Sequence, residues 1–186
     1  MVGEKIQNLR ETMHLSVDEL AAQAGLSVAQ INRIESDHDL PSLAPLIKIA
    51  RVLGVRLSTF LDEARETGPV VCRKGEATEG ILFSNDAIHS RRHMQYHSLS
   101  RSKANRHMEP FIIDVEATSD TDFVLSSHEG EEFIWVMEGQ MEICYGEEKF
   151  LLNEGDSIYY ESTTPHHVHG YNGQAAKILA VVYTPI

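Results

Sequence analysis

The chain has 186 residues, 42% hydrophobic and 24% charged, and contains no apolar run approaching the length a helix needs to span a bilayer. That balance excludes a largely disordered chain and a helical membrane anchor, and it leaves room for one large domain or two small ones. With 16 Lys+Arg against 28 Asp+Glu the net charge is -12, which argues against a sequence-independent grip on nucleic acid. The opening "MVGEKIQNLRETMHL" lacks an apolar signal core, so a cytoplasmic protein is expected, with Cys72 and Cys144 as reduced thiols.

Up to about residue 66 apolar residues recur at three and four, the period of a helix. Ile6, Leu9 and Met13 give a first helical stripe. "SVDELAAQAG" follows, with Ser16 and Glu19 spaced as a capping box and Gly25 placed to stop the helix. "LSVAQINRIESD" begins from Ser27 and buries Ile31 and Ile34. "PSLAPLIKIARVLG" is expected to be capped at Ser42 and to end at Gly54, and "STFLDEA" makes a short fifth helix from Ser58. Helices two and three, joined tightly at Gly25, have the helix-turn-helix plan, whose second helix lies in the major groove. With Ile31 and Ile34 inward, Val28, Ala29, Gln30, Asn32 and Arg33 lie wholly or partly outward. Asn and Gln suit adenine, Arg suits guanine, and Val or Ala suits a thymine methyl. Ser16 and Ser27, at helix N-termini, suit phosphate. The plain alternative is a helical packing module in which Asn32 and Arg33 are merely solvated.

The succession "S-x-x-E-L-A", "G-L-S", "I-x-R-I-E", "P-S-L" and "A-x-x-L-G-V" over residues 5–61 resembles the Cro/C1-type (XRE) helix-turn-helix family. That resemblance implies operator DNA as partner and a homodimer as the binding form.

Gly68-Pro69 cannot continue a helix, so the helical domain is expected over residues 1–66, a linker with the first strands over 67–104, and a β core over 105–186. Short runs follow: "PVVC", "EGILF", "MQYHSL", "EPFIIDVE", "EEFIWVMEG", "QMEICYG", "EKFLL", "DSIYYE", "HHVHGY" and "AKILAVVY". Their spacing predicts an antiparallel sandwich or small barrel, with turns at Glu138-Gly139, Tyr145-Gly146-Glu147 and Asn153-Glu154-Gly155. The basic stretch at residues 89–107 is expected first as a solvated loop and strand, with an anionic ligand in the pocket, DNA phosphate or the acidic surface of a dimer partner as the alternatives it could face. Phe133, Trp135, Tyr159 and Tyr160 are expected to be core or interface aromatics.

"SSHEGEEFIWVMEG" and "NEGDSIYYESTTPHHVHG" resemble the two cupin motifs, which implies a jelly-roll barrel. His128, Glu132 and Gly139 take motif positions, Ser126 stands where the first motif histidine belongs, and Gly155 and Pro165-His166 match the second motif. The resemblance implies that His128, Glu132 and His166 hold a divalent metal. Two imidazoles and a carboxylate suit Fe, and Zn, Ni or Mn are equally open. Strand parity places Glu132, Ile134 and Val136 on one face and His166 with Val168 on another, a pocket that Tyr96 joins. By the same parity His167 and His169 are expected to meet solvent or a partner.

The architecture is also similar to the mononuclear-iron hydroxypropylphosphonate epoxidase family, on Tyr96, Leu99, Arg101 and Lys103, "EPFIIDV" and the missing first histidine. His93, Met94 and Leu125 depart from it. The expectation is therefore a DNA-binding transcriptional regulator whose cupin domain senses a small-molecule effector. The alternative is a non-haem iron oxygenase or epoxidase in which Tyr96 or a Lys of the helical domain helps position an anionic substrate.

Overall fold

The structure is a computed structural model that describes residues 2–37, 42–63, 66–77, 81–82, 94–119 and 123–185. Five helices come first: α1 (Val2–Thr12), α2 (Val17–Ala24), α3 (Val28–Glu35), α4 (Leu43–Val52) and α5 (Ser58–Leu61). Their apolar stripes converge on Ile6, Leu20, Ile31, Leu46, Ile49 and Phe60, each at most 1% exposed. Met13 departs from expectation, lying beyond the end of α1 and 46% exposed.

Two features fix the back of α3. Arg10 donates through Nε and Nη2 to the two carboxylate oxygens of Glu35 at 2.6 and 2.8 Å, and through Nη1 to Leu15 O at 2.8 Å. Gly3 packs so tightly under the end of α3 that a Cβ there would stand 2.2 Å from Ile34 O. α2 begins with the expected capping box of Ser16 with Glu19, and at α3 the expected cap Ser27 proves to form a second box with Gln30. Ser42 stands at the N-cap of α4 but makes no side-chain cap bond. The third helical residue is Pro45, which has no N–H to give it.

The second domain is antiparallel throughout: β1 (Ile81–Leu82), β2 (Met94–Ser98), β3 (Met108–Val115), β4 (Glu131–Tyr145), β5 (Glu148–Asn153), β6 (Ser157–Glu161), β7 (His166–Gly170) and β8 (Ala176–Tyr183). The expected strand at "PVVC" is absent; those residues are irregular and Val71 is 63% exposed. Of "EGILF", only Ile81 and Leu82 lie within the described residues.

β4 organises the barrel. Its first half pairs with β6 and β8, and its second half with β5 and β7. Glu138-Gly139, expected as a turn, is instead where this one long strand bends. Val136 pairs with Ile178 and Glu138 with Lys177, leaving Met137 as an extra residue. Gly139 takes a φ of 81°, and a Cβ there would meet Ala175 O at 2.8 Å. A bulge at a glycine lets a strand leave one sheet for the other without a break. Phe111, Ile134, Val136, Met141, Ile143 and Ile178 fill the interior. Tyr160 is also buried, as expected of a core aromatic, whereas Trp135 and Tyr159 are 41% and 63% exposed on the outer face.

The helical and β domains meet through charge. Arg106, expected among solvated residues, is 7% exposed and shared between Asp62 at the end of α5 (2.7 Å) and Glu109 on β3 (2.8 Å). Arg51 of α4 pairs with Glu129, and Arg56 Nη1 donates to Asn105 O at 2.5 Å. His89 and His93, in the same basic stretch, lie outside the described residues.

Candidate metal centre and nucleic-acid interface

Three elements place the buried centre. His128 lies in the loop entering β4, Glu132 is the second residue of β4, and His166 opens β7. All three are at most 9% exposed, and their nearest ligand atoms lie within 4.8 Å of one another. His128 Nδ1 lies 3.0 Å from Glu129 O and His166 Nδ1 lies 2.9 Å from Thr164 O. A carbonyl only accepts, so each Nδ1 carries a proton and donates it. The Nε2 atoms then face Glu132 Oε1 at 2.7 and 3.4 Å. In neutral rings these are lone pairs aimed at a carboxylate, an arrangement that repels unless a cation sits among them. Two imidazole nitrogens and a carboxylate oxygen, each imidazole locked by a backbone carbonyl behind it, form a donor set that fits a divalent metal.

Glu132 is itself gripped from behind. Tyr160 Oη donates to Oε2 at 2.7 Å, and Ser162 Oγ donates to Oε1 at 3.3 Å. Burial by itself pushes the Glu132 pKa up, but with no cation between them and both rings protonated, the hydrogen bonds and charge of His128 and His166 outweigh it and hold the carboxylate well below its usual range. Burial beside that charge pushes Tyr160 far above the usual phenol range, so it stays a donor. Sequence reasoning placed Tyr160 only as a core or interface aromatic. Its role follows from the register that sets it directly across from Glu132.

Ser126 lies beside the centre, held by a two-bond bridge to the backbone of His166 (3.1 and 2.9 Å). It lines a cavity of ≈ 80 Å³ with Tyr96, Ile134 and Val168. Val136, expected with them, is fully buried in the barrel core and does not line this cavity. Leu125 is 40% exposed and does not line it either. Among the lining residues that the sequence did not point to, Ser42, Leu43 and Ala44 close the cavity from the helical domain. No local pattern announces a contact between residues some ninety positions apart.

His167 and His169 correct the expectation that they meet solvent. They are 4% and 9% exposed, and both rings stack on Phe123 with centroids 4.5 and 4.0 Å away. Burial lowers the pKa of His169, although its Nε2 is 3.2 Å from Glu142 Oε1. Alternation does turn this pair away from His166, but that outer face is roofed by an aromatic ring.

On the helical domain, Ser27, Val28, Ala29, Asn32 and Arg33 are exposed along α3, and Gln30 is half-buried. Gln30 is partly committed, since its Oε1 accepts from Ser27 N and Oγ at 2.9 and 3.1 Å. Only its amide NH₂ remains for a base edge, short of the two-point contact with adenine. At α2 the Glu19 carboxylate takes both Ser16 N and Ser16 Oγ at 2.7 Å, so a phosphate at Ser16 competes with a like charge.

Residues 6–60 match the Helix-turn-helix family HTH_3, and residues 115–182 match the Cupin domain family Cupin_2. Over 184 residues the chain is 23% identical to the HTH-type transcriptional regulator PuuR of Escherichia coli, covering 98% of this chain and 94% of that protein. Over 151 residues it is 32% identical to the (S)-2-hydroxypropylphosphonic acid epoxidase of Streptomyces wedmorensis, covering 75% of this chain and 73% of the enzyme. Among solved structures, an HTH_3 family transcriptional regulator from Vibrio cholerae superposes with a TM-score of 0.71 at 26% identity, covering 100% of this chain and 96% of that one.

Proposed function

Because this chain belongs to the family that joins an HTH_3 helix-turn-helix domain to a Cupin_2 domain, we propose that it is a transcriptional regulator that binds a specific operator through α3 and senses a small molecule in its cupin cavity. The observation that carries this is α3 itself. Its inner face is locked by the Arg10–Glu35 pair, and its outer face presents Val28, Ala29, Asn32 and Arg33. A rigid helix with short apolar and hydrogen-bonding side chains outward is what reading base edges requires. The acidity of the chain is compatible with this role, since residues 1–66 hold 7 Lys+Arg against 10 Asp+Glu and most of the excess lies beyond them.

The chain acts as a homodimer, joined through the outer face of β4, β6 and β8, where Trp135, Tyr159 and Tyr183 are 41%, 63% and 38% exposed. A dimer sets two recognition helices about 34 Å apart, one DNA turn, and an effector that alters this spacing alters affinity. His128, Glu132 and His166 would hold the metal, which supplies a Lewis-acid contact for one end of the effector. Fe, Zn, Ni and Mn all suit the donors. A regulator of this kind works in the cytoplasm; among the described residues no helix is long and apolar enough to cross a membrane. The test is fluorescence anisotropy with operator fragments selected from random DNA. Specific binding weakened by about 1–3 kcal/mol in Arg33→Ala supports the assignment, and specific binding unchanged in that variant overturns it.

The second assignment, iron-dependent oxidation, is favoured by the two-histidine, one-carboxylate donor set and by the 32% identity to the epoxidase. There Tyr96, which lines the cavity and stands edge-on to Phe111 at 5.6 Å, would position the substrate. Oxygen consumption by iron-loaded protein, absent in His166→Ala, would support it.

A further inference from the structure

The cavity above the metal centre has two ends of different character. One is the His128–Glu132–His166 centre, and the other is the first turn of α4, where Ser42, Leu43 and Ala44 reach into the same space. Leu43 and Ala44 occupy the first two helical positions, so their N–H groups have no partner within the helix. Ser42 is 6% exposed, and its hydroxyl makes no hydrogen bond among the described residues. The usual partner of such a hydroxyl is missing because Pro45 fills the third helical position. Three donors and the positive end of a ten-residue helix therefore converge on a buried space. No Lys or Arg is among the described residues lining it, and the rest of the wall is mostly apolar, with Ile113, Ile178 and Val182.

We propose that the N-terminus of α4 is an anion subsite for the effector, which is a short molecule carrying a carboxylate at the end remote from the metal centre. This rests on the cupin cavity being the sensing site, as proposed above. The donor count selects the chemistry. Two backbone N–H groups and one hydroxyl satisfy the two oxygens of a carboxylate, whereas the third N–H that a larger oxyanion would draw on is absent at Pro45. The cavity volume of ≈ 80 Å³ suits a small ligand. Such a ligand touches both domains at once. It is held by β4 and β7 on one side and by the helix preceded by α3 on the other, so its binding fixes the helical domain against the cupin. That gives the sensing site a direct mechanical route to the recognition helix.

The test uses the full chain loaded with Zn(II) and titrated by calorimetry with succinate, and with succinamate, in which one carboxylate is a neutral amide. Ser42→Asp places a fixed negative charge at the same N-cap, where Asp is an equally good helix cap. Succinate is expected to bind at least about tenfold more weakly to Ser42→Asp than to the native chain, with a smaller change for succinamate and with zinc content and melting temperature preserved. Equal succinate affinity in the two proteins overturns the subsite, as does failure of the native chain to bind succinate. Operator affinity is measured in parallel with and without succinate. Ser42-dependent binding that leaves operator affinity unchanged removes the regulatory role but keeps the subsite. Loss of the subsite with operator binding intact removes only this inference.

Discussion

Tyr160 Oη donates to Glu132 Oε2 across 2.7 Å, while Oε1 of the same carboxylate faces His128 Nε2 at 2.7 Å. One oxygen is thereby fixed by a phenol and the other is turned toward the imidazoles. Tyr160→Phe keeps the ring against Tyr145 and His166 (centroids 5.4 and 5.1 Å) and removes only the donor. Metal affinity, measured by chelator competition, is expected to fall about 10–100-fold with the melting temperature nearly unchanged. Unaltered affinity would show that the carboxylate needs no such support.

Ser126 and His166 exchange backbone hydrogen bonds at the rim of the same centre. His166→Ala leaves one imidazole and one carboxylate, and elemental analysis of the purified variant should show metal well below one equivalent. Ser126→His restores the histidine that the first cupin motif ordinarily supplies, and it is expected to tighten metal binding by at least about tenfold by adding a donor. If Ser126→His leaves affinity where it was, position 126 does not reach the ion.

Arg10 is the reason α3 stands rigid, and its guanidinium pKa is raised, chiefly by the Glu35 hydrogen bond. Arg10→Met strands the Glu35 carboxylate, whose side chain is 8% exposed, and should lower unfolding stability by about 3–5 kcal/mol in urea titrations. Arg10→Met paired with Glu35→Leu should recover most of that loss, because the uncompensated charge is then gone. Equal stability in the single and double variants would refute the account.

Arg33 projects from the exposed face of α3. Arg33→Ala should cost about 1–3 kcal/mol in operator affinity and relax sequence preference at one base pair, while Ser27→Ala should weaken all sequences alike. Anisotropy against a panel of single-base operator variants separates the two. A uniform loss for Arg33→Ala would reassign it to the phosphate backbone.

Glu109 carries the pH dependence of the domain junction. Burial pushes its pKa up to about 7, against the pull of Arg106, a guanidinium it shares with Asp62. A carboxyl raised on folding keeps its proton in the native state at pH values where the unfolded chain has lost it. Its contribution to stability is therefore complete below about 4.5 and is lost as pH rises through about 7. The loss is on the order of 3 kcal/mol, opposite in sign to the common carboxylate case. Relative to Glu109→Gln, the native protein should lose stability across that window in denaturant titrations. A gain over the same window would show the Arg106 contact dominating burial.

The elements that could be read from the chain are those whose causes are local. The capping box at Ser16–Glu19, the cap at Ser27, the stop at Gly25 and the short apolar runs "EPFIIDVE" and "AKILAVVY" each depend on groups within a few residues of one another. The same locality explains the misreadings. Glu138-Gly139 has turn composition, yet only the partners on β5, β7 and β8 decide that the chain passes straight through with a bulge. "PVVC" has strand composition, but among the described residues no strand pairs with it.

By itself, the sequence determined the domain order and the helix-turn-helix with Asn32 and Arg33 outward, which follow from periodicity and short-range hydrogen-bonding rules that act along the chain. The candidate ligands His128, Glu132 and His166 came from the resemblance to the cupin motifs. Only the tertiary structure decided that Tyr160 braces Glu132, that Phe123 roofs His167 and His169, that Arg106 joins the domains from a buried position, and that α4 closes the cavity with its N-terminus. Each of these depends on cross-strand register and domain packing. They bring together residues tens of positions apart, and burial then converts ordinary polar side chains into ones whose partners dictate their charge and direction.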